Sequence, residues 1–446
     1  MNNQFKEKTN DEWMKMGGKY RIQCRPFVPV VLEKGAGIYV WDVEGKRYID
    51  FESGQICMSI GHSHPKISEA IVNQINKIMQ NGSNYTCVSE ILLAKKLAEI
   101  TPEPFQKSFF ACSGSEANEI ALRMVKKYTG RFEIVAVMRN YHGSTFGSFA
   151  VSSTVNRVGY GPLMNGVYFI PAPYCYRCQF NECYPGCKLS CVDYAEELIK
   201  RVTSGKPAAI ILELLISGGG VIVPPKEWIQ KIRQICNERE MLMIADEAQT
   251  GIGRTGKWFM CQHLDVTPDI ITTSKSIGGG VPLSAVITSE EIADTSVKNG
   301  FQYSSSHAGD PFLCAVGLAQ IELIEQNNLM NNATKIENIM KKGLRELQEK
   351  YEVIGDVRGL GTLLGIEIVE DPVSKKPAFD LAGRIATECL ERGLIVGCNP
   401  WRMPPFRNVI RIVPPFISKE EELSTALNIL EEGIKEAIKK KDLKQF

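Results

Sequence analysis

Short apolar, β-branched runs alternate with helical patterns through the middle of the chain, and this alternation limits the fold more than any other feature. The clearest runs are FEIVAVMRN, AAIILELL, MLMIADE and DIITTSK, at 132–140, 208–215, 241–247 and 269–275. Between the second and third lies PPKEWIQKIRQICNERE, with Trp228, Ile229, Ile232 and Ile235 at helical spacing. Strand, helix and strand at these intervals predict an α/β fold built on a mostly parallel sheet with helices on both faces. Ligands of such sheets sit beyond the carboxyl ends of the strands. Three of the four runs end there in polar residues: Glu213, Asp246 with Glu247, and Lys275.

Lysine is seldom buried, because leaving water disfavours its charged form. That penalty is useful where a neutral, nucleophilic amine is needed, as in Schiff-base chemistry. The competing reading of Lys275 is a side chain that reaches the surface just past a strand end. Asp246 closes an apolar strand, a costly place for a carboxylate unless a cation or strong donors meet it. Gln249 follows three residues later, and Ala248 is small enough to lie against a flat ring.

In ACSGSEANEIALRMVKKY, residues 111–128, Ala117, Ile120, Ala121, Met124 and Val125 mark one face of a helix. Ser113, Gly114 and Ser115 then fall at its N-terminus, where backbone N–H groups and the helix dipole favour a phosphate. An ordinary capped helix accounts for the same residues. A lysine, a buried acid, a phosphate-ready helix end and the aromatic Tyr141 in NYHGST together match one cofactor, an aldehyde-bearing phosphorylated pyridine. That cofactor is pyridoxal 5′-phosphate (PLP).

The segments IADEAQTGIGRTG and PDIITTSKSIGGGVPLSAV resemble the signature of class III aminotransferases, PLP enzymes of fold type I. The likeness extends from GIYVWDVEGKRYIDFESGQ through SGSEANE, YHGST and VRGLGTLLGIEI to IRIVPP. Within the class the nearest likeness is 2,2-dialkylglycine decarboxylase, which couples decarboxylation to transamination. The resemblance implies that Lys275 carries the cofactor as a Schiff base and that Asp246 holds the pyridinium nitrogen. It further implies Ser113, Gly114 and Ser115 at the phosphate, Tyr141 and Ala248 on the ring faces, and Gln249 at the ring hydroxyl. Ser306 would reach the phosphate of the neighbouring subunit in a homodimer or larger homo-oligomer. Gln55, Gly218 and Arg411 would line the substrate pocket, with Arg411 binding a carboxylate; a planar guanidinium also suits that task on its own chemistry.

The chain departs from the decarboxylase in having Tyr141 where that enzyme has tryptophan, and Gly218 where it has serine. The expected reaction is therefore transfer of an amino group from an amino acid or amine to a 2-oxo acid. Decarboxylating transamination is the alternative, followed by ammonia-lyase, phospho-lyase or racemase activity. Arg402 and Arg407, in GCNPWRMPPFRN, read as solvated loop charges.

A chain of 446 residues exceeds one simple core. The expected organisation is an N-terminal segment 1–65 contributing to a small α+β domain, a large PLP-binding domain 66–330, and the rest of the small domain from 331–446. A net charge of +1 offers no electrostatic grip on nucleic acid or membrane. The polar start MNNQFKEKTNDEW and the lack of a long apolar run fit neither a secretory signal nor a membrane span. Fourteen cysteines then suggest reduced thiols and a cytoplasmic setting. Five of them, Cys175, Cys178, Cys183, Cys187 and Cys191, form one C-x2-C spacing followed by two consecutive C-x3-C spacings. The opening C-x2-C pair is compatible with a structural zinc or iron–sulfur site; with no histidine and with flanking Tyr, Pro and Gly, the cluster reads instead as a thiol-rich loop, and no metal is expected.

Overall fold

The computed structural model describes residues 8–24, 27–397 and 408–442. The chain divides into two compact units. One contains Pro65–Ala333 and Gly359–Gly361; the other contains the residues up to His64, Thr334–Arg358 and the chain from Thr362 onward.

The first unit is built on a seven-stranded sheet: β1 Phe105–Ala111, β2 Ile134–Val137, β3 Val167–Ile170, β4 Ala209–Leu212, β5 Leu242–Asp246, β6 Ile270–Thr273 and β7 Ser284–Ser289. The strand order is β1-β7-β6-β5-β4-β2-β3. Strands β2 to β6 run parallel, and β7 is antiparallel to both of its neighbours. Every residue of β2, β4, β5 and β6 is buried, the pattern of a sheet covered on both faces. Helix α1, Gly114–Thr129, buries Ala117, Ile120, Ala121, Met124 and Val125, the stripe its spacing marks. Helix α2 is Ser190–Val202, and α3, Lys226–Glu238, buries Trp228, Ile229, Ile232 and Ile235. This is the mostly parallel sheet, covered by helices, that the alternating strand and helix patterns predict.

In the second unit Tyr39–Asp42 and Arg47–Asp50 pair antiparallel about the Glu44-Gly45 turn, where Gly45 adopts φ +83°. Leu363–Ile368 pairs antiparallel with Val409–Ile412. Their apolar faces join Ile336, Leu344 and Leu430 in one core. Among the described residues no helix is long and apolar enough to cross a membrane.

Candidate active site

Because β4, β5 and β6 are parallel, their carboxyl ends share one edge. Asp246 closes β5 and is 4% exposed. Its Oδ2 accepts from Asn118 Nδ2 at 2.8 Å and lies 2.8 Å from His142 Nδ1, while Oδ1 accepts from the Ala248 N–H at 3.0 Å. Thr272, which pairs in register with Asp246, donates its hydroxyl to Asn118 Oδ1 at 2.7 Å. Asn118 also donates to the His142 carbonyl at 2.7 Å. These contacts hold a carboxylate in a place where an unsupported charge would be costly. Asn118 and His142 escaped the sequence reading, although each left a trace: Asn118 is a polar residue beside the buried stripe of α1, and His142 follows Tyr141. Glu247, by contrast, is a structural group that accepts from Thr250 and from the Met260 and Cys261 amides.

Strand β6 passes through Ser274 into a 3-10 turn, Lys275–Gly278. Lys275 adopts φ +54°, a left-handed conformation that costs a side-chain-bearing residue energy. A Cβ on Gly114 would stand 3.4 Å from Ser274 Cβ and 3.6 Å from Ala248 Cβ. The start of α1, the residue before Lys275 and the residue two past Asp246 thus meet at one place.

The hydroxyl of Ser113 caps α1 by accepting from the Glu116 N–H at 3.2 Å. The amides of Gly114 and Ser115 begin the helix ahead of any intrahelical acceptor, so they are suited to an anion. Ser115 Oγ accepts from the Ser144 N–H at 3.0 Å, tying α1 to the turn that carries Tyr141. Ser306 is exposed, and its carbonyl accepts from Gln80 Nε2 at 2.9 Å.

Tyr141 donates its N–H to Glu213 Oε1 at 2.8 Å, and its hydroxyl lies 2.9 Å from Ser144 Oγ. Glu213 Oε2 accepts from the Ser217 N–H at 2.9 Å, and the Ser217 hydroxyl donates to Gln249 Oε1 at 2.7 Å. Burial, followed by the charge of Asp246, pushes the Glu213 carboxyl up to about 7, against the pull of His142 and the two amides. A Cβ on Gly218 would come within 3.2 Å of Tyr141 Cβ.

Two expected substrate residues lie in the other unit. Arg411, 5% exposed on Val409–Ile412, has Nη2 3.4 Å from Glu52 Oε1. Gln55 is exposed on a turn in which Ser53, Gly54, Gln55 and Ile56 adopt φ of 49°, 52°, 63° and 72°. Arg402 and Arg407 lie outside the described residues.

The donor set suits PLP: a held carboxylate for a ring nitrogen, a lysine on the same sheet edge, and a side-chain-free helix start for a phosphate. Residues 22–434 match the aminotransferase class-III family, and the chain belongs to it. It is 37% identical over 411 residues to an uncharacterised aminotransferase of Schizosaccharomyces pombe, covering 92% of this chain and 91% of that protein. It is 36% identical over 412 residues to a leucine/methionine racemase of Thermococcus litoralis, covering 92% and 91%. A Bacillus anthracis aminotransferase structure superposes with a TM-score of 0.91 at 31% identity, covering 96% of this chain and all of that one. The protein is a PLP-dependent transaminase acting on small amino and oxo compounds.

Proposed function

We propose that the chain moves an amino group from a carboxylate-bearing amino acid to a 2-oxo acid, with Lys275 and Asp246 as its catalytic residues. The observation that carries this reading is the buried Asp246 carboxylate, fixed by Asn118, His142 and the Ala248 amide at the sheet edge that also bears Lys275. Bound PLP supplies an electron sink for charge developing at the substrate Cα. Asp246 holds the proton on the ring nitrogen, and the Gly114 and Ser115 amides receive the phosphate. Ser113, whose hydroxyl serves the cap, acts through the helix start it fixes. Tyr141 and Ala248 flank the ring, and Gln249, aimed by Ser217, meets the ring hydroxyl. Lys275 Nζ takes the Cα proton and returns it. Arg411 binds the substrate carboxylate, with Gln55 and Gly218 lining the pocket.

The two units correspond in this reading to the family's small and large domains. The working form is a cytoplasmic homodimer in which Ser306 of the partner subunit completes each phosphate site. Mixing Lys275→Ala chains with Ser306→Ala chains tests that arrangement. Hybrid dimers then contain one intact site, so activity should partly return; no recovery would rule out sharing.

The decarboxylase likeness keeps a second reading alive, since Gln55 is retained while Gly218 lacks the hydroxyl. The racemase relative supplies a third, in which the proton returns to the opposite face. A half-reaction decides among them. Holoenzyme is mixed with L-alanine, 2-aminoisobutyrate or a phosphorylated amine, with no acceptor, while cofactor absorption, CO2, ammonia, phosphate and alanine chirality are followed. Conversion to the aminated cofactor without CO2 supports transamination. Release of CO2 from 2-aminoisobutyrate selects decarboxylation, D-alanine at unchanged absorption selects racemisation, and ammonia or phosphate selects a lyase.

A further inference from the structure

Just past the Arg47–Asp50 strand the backbone makes a turn that side-chain-bearing residues seldom adopt. Ser53, Gly54, Gln55 and Ile56 are left-handed in succession, and all but Gly54 carry a Cβ. Each such residue costs energy, so the turn persists only where its surroundings over-determine it. One carboxylate holds it twice. Asp50, 4% exposed, accepts from the Glu52 N–H at 3.0 Å through Oδ1 and from the Gly54 N–H at 2.7 Å through Oδ2. His62 Nε2 lies 2.8 Å from the same Oδ2 and donates to it.

His62 is itself fixed. Its N–H donates to the Gly37 carbonyl at 2.7 Å, and its carbonyl accepts from the Gly37 N–H at 3.0 Å. A Cβ on Gly35 would come within 2.8 Å of His62 Cβ, so the ring has little room to leave. A further anchor joins the turn to the strand of Arg411: the Ser53 hydroxyl donates to the Val413 carbonyl. Glu52, at the head of the turn, stands 3.4 Å from Arg411 Nη2.

We propose that Asp50 and His62 are positioning residues, a latch that keeps Glu52 on Arg411 and thereby weakens the grip of Arg411 on an incoming carboxylate. This rests on the reading of Arg411 as the substrate-carboxylate ligand. Asp50 grips the amides on either side of Ser53, so Glu52 cannot swing away while both bonds hold. His62 keeps the Asp50 carboxylate in the orientation that reaches both amides, and a buried carboxylate needs that donor. Arg411 covered by Glu52 binds a carboxylate with an affinity reduced by the fraction of Arg411 left open. The latch therefore selects donors whose other contacts are strong enough to displace Glu52.

The test titrates propionate, a carboxylate without an amine, into the holoenzyme and reads the Kd by calorimetry. His62→Ala should bind it about three- to tenfold more tightly than wild type, as Glu52→Gln does. His62→Gln, which keeps a donor within reach of Asp50, should return toward wild-type affinity. In the Glu52→Gln background His62→Ala should add less than about twofold, because both changes act on one contact. General damage to the pocket would weaken binding, so the sign separates a latch from a structural support. Should His62→Ala fail to fold, Asp50→Asn, which keeps the size but only one acceptor oxygen, must show the same tightening. Unchanged or weaker propionate binding in the variant that folds, while Arg411→Ala loses propionate, overturns the latch and leaves Arg411 as the carboxylate ligand. Additive tightening with Glu52→Gln, or a His62→Gln chain as tight as the alanine chain, overturns the latch as well. Propionate affinity indifferent to Arg411→Ala overturns both readings.

Discussion

Arg411 already faces a carboxylate within its own unit: Nη2 stands 3.4 Å from Glu52 Oε1, with the arginine almost wholly buried. In the carboxylate-binding role proposed for Arg411, an incoming substrate would compete with Glu52. Glu52→Gln should therefore lower KM several-fold for carboxylate donors and leave a simple amine unchanged. Arg411→Ala should raise KM for the carboxylate donor by about 10- to 100-fold, the range of a charged hydrogen bond. Steady-state kinetics with the two donor types checks both; equal effects on them would remove Arg411 from carboxylate recognition.

Asp246→Asn should cut kcat/KM by about 10³-fold, since the amide cannot hold a proton on the ring nitrogen. The cofactor should remain attached through Lys275, visible as retained visible absorption. His142→Ala should lose less, because Asn118 and the Ala248 amide still position the carboxylate. Single-turnover rates provide the comparison.

Glu213 imposes a stability dependence of definite sign. Its carboxyl is pushed from an ordinary 4.5 up to about 7 in the folded chain, so between these values the folded state binds the extra proton. Stability then falls as pH rises from about 4.5 to 7. The burial penalty is absent below that window and complete above it. Urea midpoints at pH 5, 6, 7 and 8 should decline more steeply for wild type than for Glu213→Gln. The glutamine chain should be weaker at pH 5, because its NH2 faces the Tyr141 or Ser217 N–H. Parallel profiles would mean Glu213 does not titrate there.

Gly218→Ser adds a Cβ within 3.2 Å of Tyr141 Cβ. The crowding should cost about 1–3 kcal/mol or turn the tyrosine. Lower thermal stability, or a shifted cofactor absorption with reduced kcat, is the expected result. Release of CO2 from 2-aminoisobutyrate by this variant alone would show that one hydroxyl selects the bond broken.

Much of the parallel sheet was legible because β2, β4, β5 and β6 are buried on both faces, which leaves uninterrupted apolar runs. The α1 stripe was legible for the same reason at helical period. Strand β1, FQKSFFA, is half exposed at the sheet edge, and β7 runs against its neighbours; neither property leaves a distinct local pattern.

The proposed catalytic pair, Asp246 and Lys275, was legible as polar residues at the ends of apolar strands, and the structure places them there. Their supports were not legible. Asn118 belongs to a helix, His142 to a turn and Thr272 to a neighbouring strand, and only strand register and helix packing bring all three to one carboxylate. The sequence by itself determined which residue types could do the chemistry, because burial leaves its period along the chain. Tertiary structure decided the contacts between distant segments, such as Glu213 with Tyr141 and Asn118 with Asp246, because those depend on distances that no local spacing encodes.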